Sequence, residues 1–386
     1  MHPDRRSFLK RTLTASAAVA LGPAHWRRAF GAHAAVGESP YGPLGAADSN
    51  GIRLPTGFTS RLIAMTGQEV GKSGYVWHAG PDGGATYAAG EGGWVYVSNS
   101  ELNGTRGGAS AIRFASDGRI VSAYRILGGT RRNCAGGATP WATWLSCEEY
   151  HQGLVWECNP FEAGQGIARP AMGRFAHEAA VVDPRTGYVY LTEDAHDGRF
   201  YRFRPASARD LSAGTLEAAS VEGGFTVTWI PVSRNRPHRG RDTAVFARGE
   251  GAWFSSGHVY FCTTGDNRVW ALETATDKLE IIYDATKLGT NAPLREPDNL
   301  TVHERSGDIY VAEDGAELQL VLLAERHGQR ILAPFLQLVG HVGSEVVGPA
   351  FSPDGTRLCF SSQRGTDGGI DGPGKTFEVT GPFRPR

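Results

Sequence analysis

The sequence of 386 residues has few methionines, almost no net charge and no long apolar segment. Its 39 lysines and arginines nearly balance 40 aspartates and glutamates, so the chain has no nucleic-acid footprint and we expect no nucleic-acid partner. No apolar run reaches the roughly 18 residues of a membrane span. Glycine is abundant, with 52 residues, and 10% of the residues are aromatic. This composition favours many short strands joined by tight turns over a helical protein.

A regular disulfide framework is also missing. The five cysteines cannot all pair with one another, and three of them lie in apolar, strand-like runs. Cys134 differs, because it lies in the glycine-rich turn "NCAGG". We therefore expect Cys134 to be a free thiolate rather than a disulfide partner, since glycines allow the backbone to approach an ion closely.

The N-terminus has the pattern of an export signal. The basic segment "DRRSFLKR" (4–11) precedes the short apolar stretch "TLTASAAVALG" (12–22), and an A-x-A site follows within 32–35. The paired arginines before Phe8 indicate a twin-arginine signal peptide, predicted to span residues 1–34. We therefore expect the twin-arginine translocation machinery to be a partner during export, and the protein to be periplasmic or secreted.

Six apolar, β-rich segments share one form: a turn, alternating β-branched and aromatic residues, and an oxygen-rich end. Most lie 45–50 residues apart, which is typical of a β-propeller. The residues at the six ends are Asn99 and Glu101, Glu148 and Glu149, Glu193 and Asp194, Asp266 and Asn267, Glu313 and Asp314, and Gln363. The pattern predicts one all-β domain over residues 45–380, a six-bladed propeller. If the recurring strand is the innermost strand of each blade, these ends converge on a central channel.

Carboxylates that converge in a partly buried channel repel one another unless cations neutralise them. The ends of the repeated strands are therefore predicted to bind metal. Carboxylate and amide oxygens suit calcium or magnesium, whereas Cys134 and His177 offer softer donors that suit a transition metal. These donors favour a mixed cluster of calcium and a redox-capable metal. His177 has a structural alternative, since a single histidine beside a core strand commonly serves packing.

Four stretches of the chain resemble one known family. They are "NCAGGATPWATWLSCEE", "GLVWECNP", "GRFAHEAAVVDPRTGYVYLTEDA" and "SPDGTRLCFSSQ", and they resemble the PhoX-type alkaline phosphatases from about Asn99 to Gln363. The resemblance implies a six-bladed propeller that is exported by the twin-arginine route. It also implies a central cluster of Fe³⁺ and Ca²⁺, and hydrolysis of phosphomonoesters.

The resemblance further assigns roles to individual residues. It implies that Cys134 is an iron ligand and that Glu178, in "AHE", is a second ligand of the cluster. It implies that Asn99 helps to hold phosphate, although the family's N-H-E reads N-S-E here. The candidates for the remaining iron and calcium sites are Glu101, Glu148, Glu149, Glu193, Asp194 and Asp314.

One stretch departs from the family. Where the family has R-P-E, with an arginine that clamps phosphate, this chain reads "REPDNLTV". Glu296 stands at the position of that arginine, and Asp298 replaces the glutamate as a metal ligand. Arg295 is adjacent and is the candidate replacement for the clamp, although a shift of one residue turns a strand side chain to the opposite face. The predicted catalytic residues are thus Cys134, Glu178, Asn99 and Arg295.

The sequence shows no Ser–His–Asp set and no Walker-type glycine loop, which favours hydrolysis by clustered metals. We therefore expect a monomeric metal-dependent phosphoesterase acting on a small phosphate ester. Two alternatives remain open. "EPDN" at a channel mouth also fits a calcium-dependent, lactonase-like propeller hydrolase, and the loss of the arginine would fit a non-catalytic, metal-stabilised binding module.

Overall fold

The computed structural model describes residues 34–223, 225–315, 317–326, 328–369 and 371–385. The predicted signal peptide therefore lies outside the described residues except for Ala34, and the domain limits 45–380 stay a prediction. Among the described residues, helix is confined to α1 (Ala285–Leu288) and three single 3-10 turns at Gly90–Gly92, Pro170–Met172 and Gly289–Asn291. None of these helices has the length and apolar character that a membrane crossing requires.

The described strands are short and follow one another in antiparallel hairpins. The N-terminal part contains β1 (Ala35–Val36), β2 (Leu44–Ala47), β3 (Ile52–Pro55) and β4 (Thr59–Met65). Unit 1 contains β5 (Pro81–Ala88), β6 (Trp94–Ser100), β7 (Gly107–Phe114) and β8 (Ile120–Thr130). Unit 2 contains β9 (Asn133–Ala138), β10 (Trp144–Glu148), β11 (Val155–Cys158) and β12 (Ile167–Ala168).

Unit 3 contains β13 (His177–Val182), β14 (Val189–Glu193), β15 (Tyr201–Ser207) and β16 (Asp210–Glu222), followed by β17 (Thr226–Pro231). Unit 4 contains β18 (Gly249–Ser255), β19 (His258–Thr263), β20 (Arg268–Glu273) and β21 (Lys278–Asp284). Unit 5 contains β22 (Pro297–His303), β23 (Asp308–Glu313), β24 (Gln319–Arg326) and β25 (Gln329–Leu338). Unit 6 contains β26 (Val346–Phe351), β27 (Arg357–Ser362) and β28 (Lys375–Thr380).

Strand pairing joins these units into five sheets. Units 3 and 4 share one nine-stranded sheet, but only the pair Thr226–Lys278 connects β17 to β21, so we divide the sheet there. Strand β3 pairs with β25 and extends unit 5. Strand β4 pairs with β28 along its whole length and completes unit 6, so the N-terminal part of the described chain closes the last unit.

The first strands of the six units form a closed ring. β5 contacts β9, β9 contacts β13, β13 contacts β18, β18 contacts β22, β22 contacts β26, and β26 returns to β5. The prediction of an all-β propeller is therefore confirmed, while the number of blades remains our interpretation of the pairing. The recurring strand is not the innermost strand of its unit, which was the condition stated for the convergence of the strand ends. The recurring strands are β6, β10, β14, β19, β23 and β27, and each is the second strand of its unit.

The core lies between neighbouring units, because the second strands bury side chains on both faces. All seven residues of β6, "WVYVSNS", are buried. Between units 3 and 4, Phe200 stacks on Phe261 with ring centroids 4.2 Å apart, and Trp270 lies parallel to Phe261. Strands that are covered on both sides read as continuous apolar runs, which is why the six segments were recognisable in the sequence.

Close backbone contacts between first strands depend on small residues. A Cβ atom on Gly83 would lie 2.5 Å from Cα of Ala135 in the next unit, and one on Gly348 would lie 2.5 Å from the carbonyl oxygen of Asp82. Real Cβ atoms do not approach other atoms so closely, so these glycines let the six strands converge around a narrow axis.

We predict that Gly83→Ala destabilises the protein by about 1–3 kcal/mol, because the methyl group overpacks the contact between β5 and β9. Denaturant unfolding measures the change. Gly90→Ala is the matched control, since a Cβ atom there meets no other atom within 4 Å. Equal stability of the two variants would show that the first strands do not pack as described.

Candidate metal centre

Each first strand begins with a β-bulge, where the ladder to the second strand shifts register. Bulges re-aim side chains and are common next to functional sites. In units 1 to 5 the second residue of the first strand lies in this bulge, whereas in unit 6 the second residue, Val347, is paired and the shift follows it. We call the place of the second residue the inner position. The six inner residues are Asp82, Cys134, Glu178, Glu250, Asp298 and Val347.

A hydrogen bond that recurs in every unit defines two further positions. The carbonyl oxygen two residues before the inner residue accepts from the backbone N–H at the end of the second strand, at 2.8–3.1 Å. We call the accepting residue the rim position and the donating residue the tip position. The rim residues are Gly80, Arg132, Ala176, Arg248, Glu296 and Glu345, and the tip residues are Glu101, Glu149, Asp194, Thr264, Asp314 and Gln363.

Most of the inner, rim and tip residues line one cavity of about 390 Å³ at the end of the channel. Asp82 is not among the lining residues, and neither is Glu296, which is exposed beside the lining residue Asp314. Its lining is dominated by acidic side chains, with Cys134 and three arginines among them. The carboxyl groups that line it belong to Glu101, Glu149, Glu178, Asp194, Glu250, Asp298, Asp314 and Glu345, and the arginines are Arg132, Arg248 and Arg364. Acidic groups thus outnumber basic groups more than twofold, so the cavity favours cations.

Three overlapping groups bring possible metal ligands within 4.8 Å of one another. They are Asp82 with Glu101 and Cys134, Cys134 with Glu149 and Glu178, and Glu178 with Glu250 and Asp298. The third group offers only carboxylate oxygens, which suit calcium. The second includes a thiol, which suits a transition metal such as iron. The donor sets therefore fit the two metals that the sequence analysis expects.

Glu178 is the clearest sign of a cation. It is fully buried, and neither of its carboxylate oxygens has a hydrogen-bond partner among the described residues. Burying an ionised carboxylate without a partner costs several kcal/mol, so buried charges in proteins are paired or coordinate metals. Glu178 belongs to two of the three groups, as Cys134 does, so it could connect two neighbouring ions.

Burial and mutual repulsion raise the pKa values of several carboxyl groups at the cavity. Burial first, and neighbouring carboxylates second, raise the pKa of Asp82, Glu178 and Glu250 well above the usual range. Burial raises the pKa of Asp314 to about 6 and that of Glu345 to about 7. Without cations, burial and repulsion thus favour the protonated forms of Asp82, Glu178 and Glu250.

Cys134 follows the same pattern. Burial, with the negative charge of Asp82 next, raises the pKa of the thiol well above its usual value. The S–H group donates to Oδ2 of Asp82 at 3.5 Å. All five cysteines are free, so Cys134 has no disulfide partner, as expected. The expected thiolate form, however, requires a nearby cation.

Two arginines each bridge two carboxylates of the cavity. Arg132 contacts Glu101 at 3.0 Å and Glu149 at 2.8 Å, and Arg248 contacts Asp194 at 2.8 Å and Glu250 at 3.1 Å. Arg364 forms a salt bridge with Glu345. These contacts hold the acidic side chains in place and neutralise part of their charge.

The predicted metal ligands divide into those that the structure brings together and those that it does not. Glu101, Cys134, Glu149, Glu178 and Asp298 belong to the three groups. Asp194 and Asp314 line the cavity but lie outside the groups.

Glu148 and Glu193 have other contacts. Glu148 accepts from the backbone N–H groups of Arg131 and Leu154, at 2.9 and 3.1 Å. Glu193 accepts from the N–H of Arg199 and the hydroxyl of Tyr201. In each acidic pair, therefore, the second residue faces the cavity and the first holds a loop, so the geometry does not favour Glu148 or Glu193 as a ligand.

Asn99 does not face the cavity, contrary to the role that the resemblance implied. Its amide group donates to the carbonyl oxygens of Cys134 and Ala135, at 3.2 and 2.7 Å. Its oxygen accepts from the indole N–H of Trp144 and the hydroxyl of Ser146. All of its hydrogen-bonding capacity is used. Asn99 therefore fixes the backbone beside Cys134 and has no group left for phosphate.

Two other candidates also lie outside the cavity. Arg295 is exposed, and its guanidinium donates to the carbonyl oxygen of Gly289 at 3.0 Å, so it does not replace the missing clamp. His177 packs on Phe175 with ring centroids 3.6 Å apart and contacts the carbonyl oxygen of Gly173. Burial lowers the pKa of His177 to about 3. The imidazole is therefore neutral, and its contacts are those of a packed core side chain.

Asp82, Glu250 and Glu345 line or complete the site but are absent from the sequence-based ligand set. Asp82 and Glu250 lie on first strands, one hairpin before the recurring segments. Each is followed by glycine, in "PDGG" and "GEGA", much as Cys134 precedes "AGG". That shared pattern at the start of a strand is the signal that could have found them.

Comparisons with known proteins point to one family. The family model described as alkaline phosphatase PhoX matches residues 82–279, which is just over half of the chain. By sequence, no curated protein matches it. Among solved structures, it is similar to Pseudomonas fluorescens PhoX in complex with vanadate, a transition state analogue. The TM-score is 0.71 at 17% identity, over 87% of this chain and 97% of that one, and this likeness shows the fold.

Two further structures are more distant. A gluconolactonase, XC5397 from Xanthomonas campestris, aligns with a TM-score of 0.47 at 15% identity, over 89% of this chain and 99% of that one. A calcium-binding protein, regucalcin from Agrobacterium tumefaciens, aligns with a TM-score of 0.39 at 16% identity, over 79% and 92%. Neither likeness is strong enough to carry an argument about this chain.

We predict that Glu178→Gln weakens metal binding about tenfold or more, because the amide loses the charge that two neighbouring sites share. Metal content after dialysis, measured by mass spectrometry of the elements, gives the readout. Glu193→Gln is the control, since Glu193 contacts a loop, and it should retain wild-type metal content. Equal metal content in all three proteins would show that Glu178 is not a ligand.

We also predict that the chelated protein loses stability as the pH rises from 5 to 8. Asp314 and Glu345 have folded pKa values of about 6 and 7, against about 4 when unfolded. The folded state therefore binds more protons, and its stability falls as pH rises through this window. Thermal unfolding should show a Tm decrease on the order of 5 °C, and a smaller decrease with saturating Ca²⁺. A Tm that rises with pH in chelated protein would contradict this account.

Proposed function

The chain belongs to the alkaline phosphatase PhoX family, and from this premise we propose that it is an exported, metal-dependent phosphatase. In this proposal it hydrolyses phosphomonoesters at a cluster of iron and calcium in the propeller channel. The observation that carries the proposal is Glu178, a fully buried carboxylate with no hydrogen-bond partner among the described residues. It lies where two groups of possible metal ligands meet.

The donor types suggest which residues would hold each metal. Cys134, Glu149 and Glu178 would hold Fe³⁺, and Glu178, Glu250 and Asp298 would hold Ca²⁺. Such ions, when bound, supply positive charge for the phosphoryl oxygens and lower the pKa of the attacking water.

The surrounding side chains would bind and orient the ester. Arg132 and Arg248 are held by salt bridges to two carboxylates each, so their guanidinium groups are fixed at the cavity wall. Fixed donors are better suited to an anion than mobile ones, because less conformational entropy is lost on binding. Below the inner residues the channel is narrow, because small residues pack closely there: Gly83, Ala135, Gly251 and Gly348. This narrowing favours entry of the substrate from the rim.

The family resemblance implies an arginine that clamps phosphate, and this chain has Glu296 at that position. Glu296 occupies the same rim position as Arg132 and Arg248. All three residues adopt positive φ angles, of 48°, 48° and 53° for Glu296, Arg132 and Arg248. Glu296 therefore places a negative charge where two other units place a positive one, and we propose that activity towards simple monoesters is low.

Location and partners complete the proposal. The arginine pair and apolar stretch within 4–22 support export by the twin-arginine machinery to the periplasm or beyond the cell. We propose that the protein acts as a monomer on a small phosphate ester.

The test is release of p-nitrophenol from p-nitrophenyl phosphate by protein loaded with Ca²⁺ and Fe³⁺, with chelated protein as the control. We expect metal-dependent hydrolysis that orthovanadate inhibits. Metal-loaded protein that binds both ions but releases no phosphate from any monoester would overturn the proposal. That result would leave the lactonase-like hydrolase or the non-catalytic binding module as the remaining alternatives.

We predict that Glu296→Arg raises kcat/KM for p-nitrophenyl phosphate about tenfold or more. A charge-assisted hydrogen bond to phosphate contributes about 1.5–3 kcal/mol, and ~1.4 kcal/mol is a factor of ten. Glu38→Arg makes the same charge change on an exposed residue outside the cavity and should leave kcat/KM unchanged. A lower kcat/KM in Glu296→Arg would show that another residue holds the phosphate and that our placement of the clamp is wrong.

A further inference from the structure

The rim of the channel carries charges of opposite sign on its two sides. We infer from this arrangement that the site selects phosphomonoesters whose alcohol part bears a cationic amino group. The inference rests on the proposed phosphatase function and deepens it, because it names the substrate class. Glu296 is then a specificity residue for the substrate amine rather than only a lost phosphate clamp.

The repeat makes the asymmetry unambiguous, because the six rim residues are structurally equivalent. Units 2 and 4 carry Arg132 and Arg248 there, whereas units 5 and 6 carry Glu296 and Glu345. The remaining two rim residues, Gly80 and Ala176, are uncharged. The rim arginines thus flank unit 3 and the rim glutamates lie in units 5 and 6. We call these the basic side and the acidic side of the mouth, although unit 4, with Arg248, is next to unit 5 in the ring.

The basic side is internally neutralised, but the acidic side is not. Arg132 and Arg248 each contact two carboxylates of the cavity. On the acidic side, Glu345 contacts Arg364. The side chains of Glu296 and Asp314 make no hydrogen bond or salt bridge to any described residue, although the backbone groups of these two residues are bonded to each other. At the mouth, Glu296 therefore has no salt bridge to a described residue, and Asp314 lies near Arg248 and Arg364 without a salt bridge to either.

A metal ion is a poor fit for these two carboxylates. Glu296, Asp314 and Glu345 are absent from the three groups of described residues whose ligand atoms lie within 4.8 Å of one another. Calcium requires six to eight oxygen ligands at 2.3–2.6 Å, so it needs such a convergence. An ammonium group has three rotatable donors on a flexible stem and can bond to carboxylates that are further apart.

The deeper part of the cavity fixes the orientation of the ester. The fully buried, unpartnered Glu178 points to a cation below the rim, and the phosphate would bind beside that cation. The alcohol part of the ester would then extend towards the rim. There, an ammonium group meets Glu296 and Asp314, a neutral group gains nothing, and a carboxylate is repelled.

The first experiment compares three esters that differ in the charge of the alcohol part. These are O-phosphoethanolamine, propyl phosphate and the phosphate ester of 3-hydroxypropanoate, tested with metal-loaded protein. We expect kcat/KM to fall in that order, with a difference of about fivefold between the cationic and the neutral ester, as for a partly exposed ion pair. The difference should lie in KM rather than kcat, because the amine contacts no reacting atom.

Variants test whether Glu296 causes the preference. Glu296→Gln should raise KM for O-phosphoethanolamine about fivefold, and Glu296→Arg should reverse the preference in favour of the anionic ester. Glu38→Gln, outside the cavity, should keep the wild-type order. A preference that is equal in wild type and Glu296→Gln would overturn the inference, and so would equal kcat/KM for all three esters.

A binding measurement separates failure of the inference from failure of the proposed function. Calorimetry compares 3-aminopropylphosphonate with butylphosphonate, two analogues that cannot release phosphate by ester hydrolysis. Tighter binding of the amine, lost in Glu296→Gln, supports the selectivity even if no ester is hydrolysed, in which case only the phosphatase function is wrong. Equal binding of both phosphonates would overturn the selectivity even in an active phosphatase.

Discussion

Repulsion between buried carboxylates is the constraint on which this channel depends. Glu178 is fully buried without a partner, and the pKa values of its neighbours Glu250 and Asp298 are raised well above the usual range by burial and mutual charge. A protein gains nothing for its stability from such a cluster unless cations neutralise it. The residues around the channel are therefore arranged as a possible binding site for metal ions.

The carboxylates are brought together by a local backbone arrangement that recurs around the propeller. In units 1 to 5 a bulge contains the second residue of the first strand. In all six units a backbone hydrogen bond fixes the rim residue against the tip of the second strand. Small residues such as Gly83 let the strands converge. Because the backbone is equivalent in all six units, single substitutions set the local chemistry: Cys134 adds a soft ligand, and Glu296 reverses the charge that Arg132 and Arg248 provide.

The sequence was sufficient to predict the propeller, because the buried second strands read as apolar runs. The last acidic residues of these strands mark the tips, among them Glu101 and Glu149, whereas Cys134, Glu178 and Asp298 became candidates through the family resemblance. The sequence did not separate Glu149 from Glu148 or Asp194 from Glu193. Neighbouring residues at a strand end point in opposite directions, and only the bulge and the loop contacts decide which one faces the cavity. Asp82 and Glu250 were missed because the innermost strands are the less apolar ones. Asn99 looked like a ligand-binding residue, but its hydrogen bonds are all internal.

The most direct measurement of the central claim is an anomalous diffraction map from crystals of the protein grown without chelator. The account predicts a strong iron peak within bonding distance of Cys134, Glu149 and Glu178, and a calcium peak near Glu178, Glu250 and Asp298. A map with no metal peak within bonding distance of Glu178, from protein that is otherwise folded as described, would contradict it.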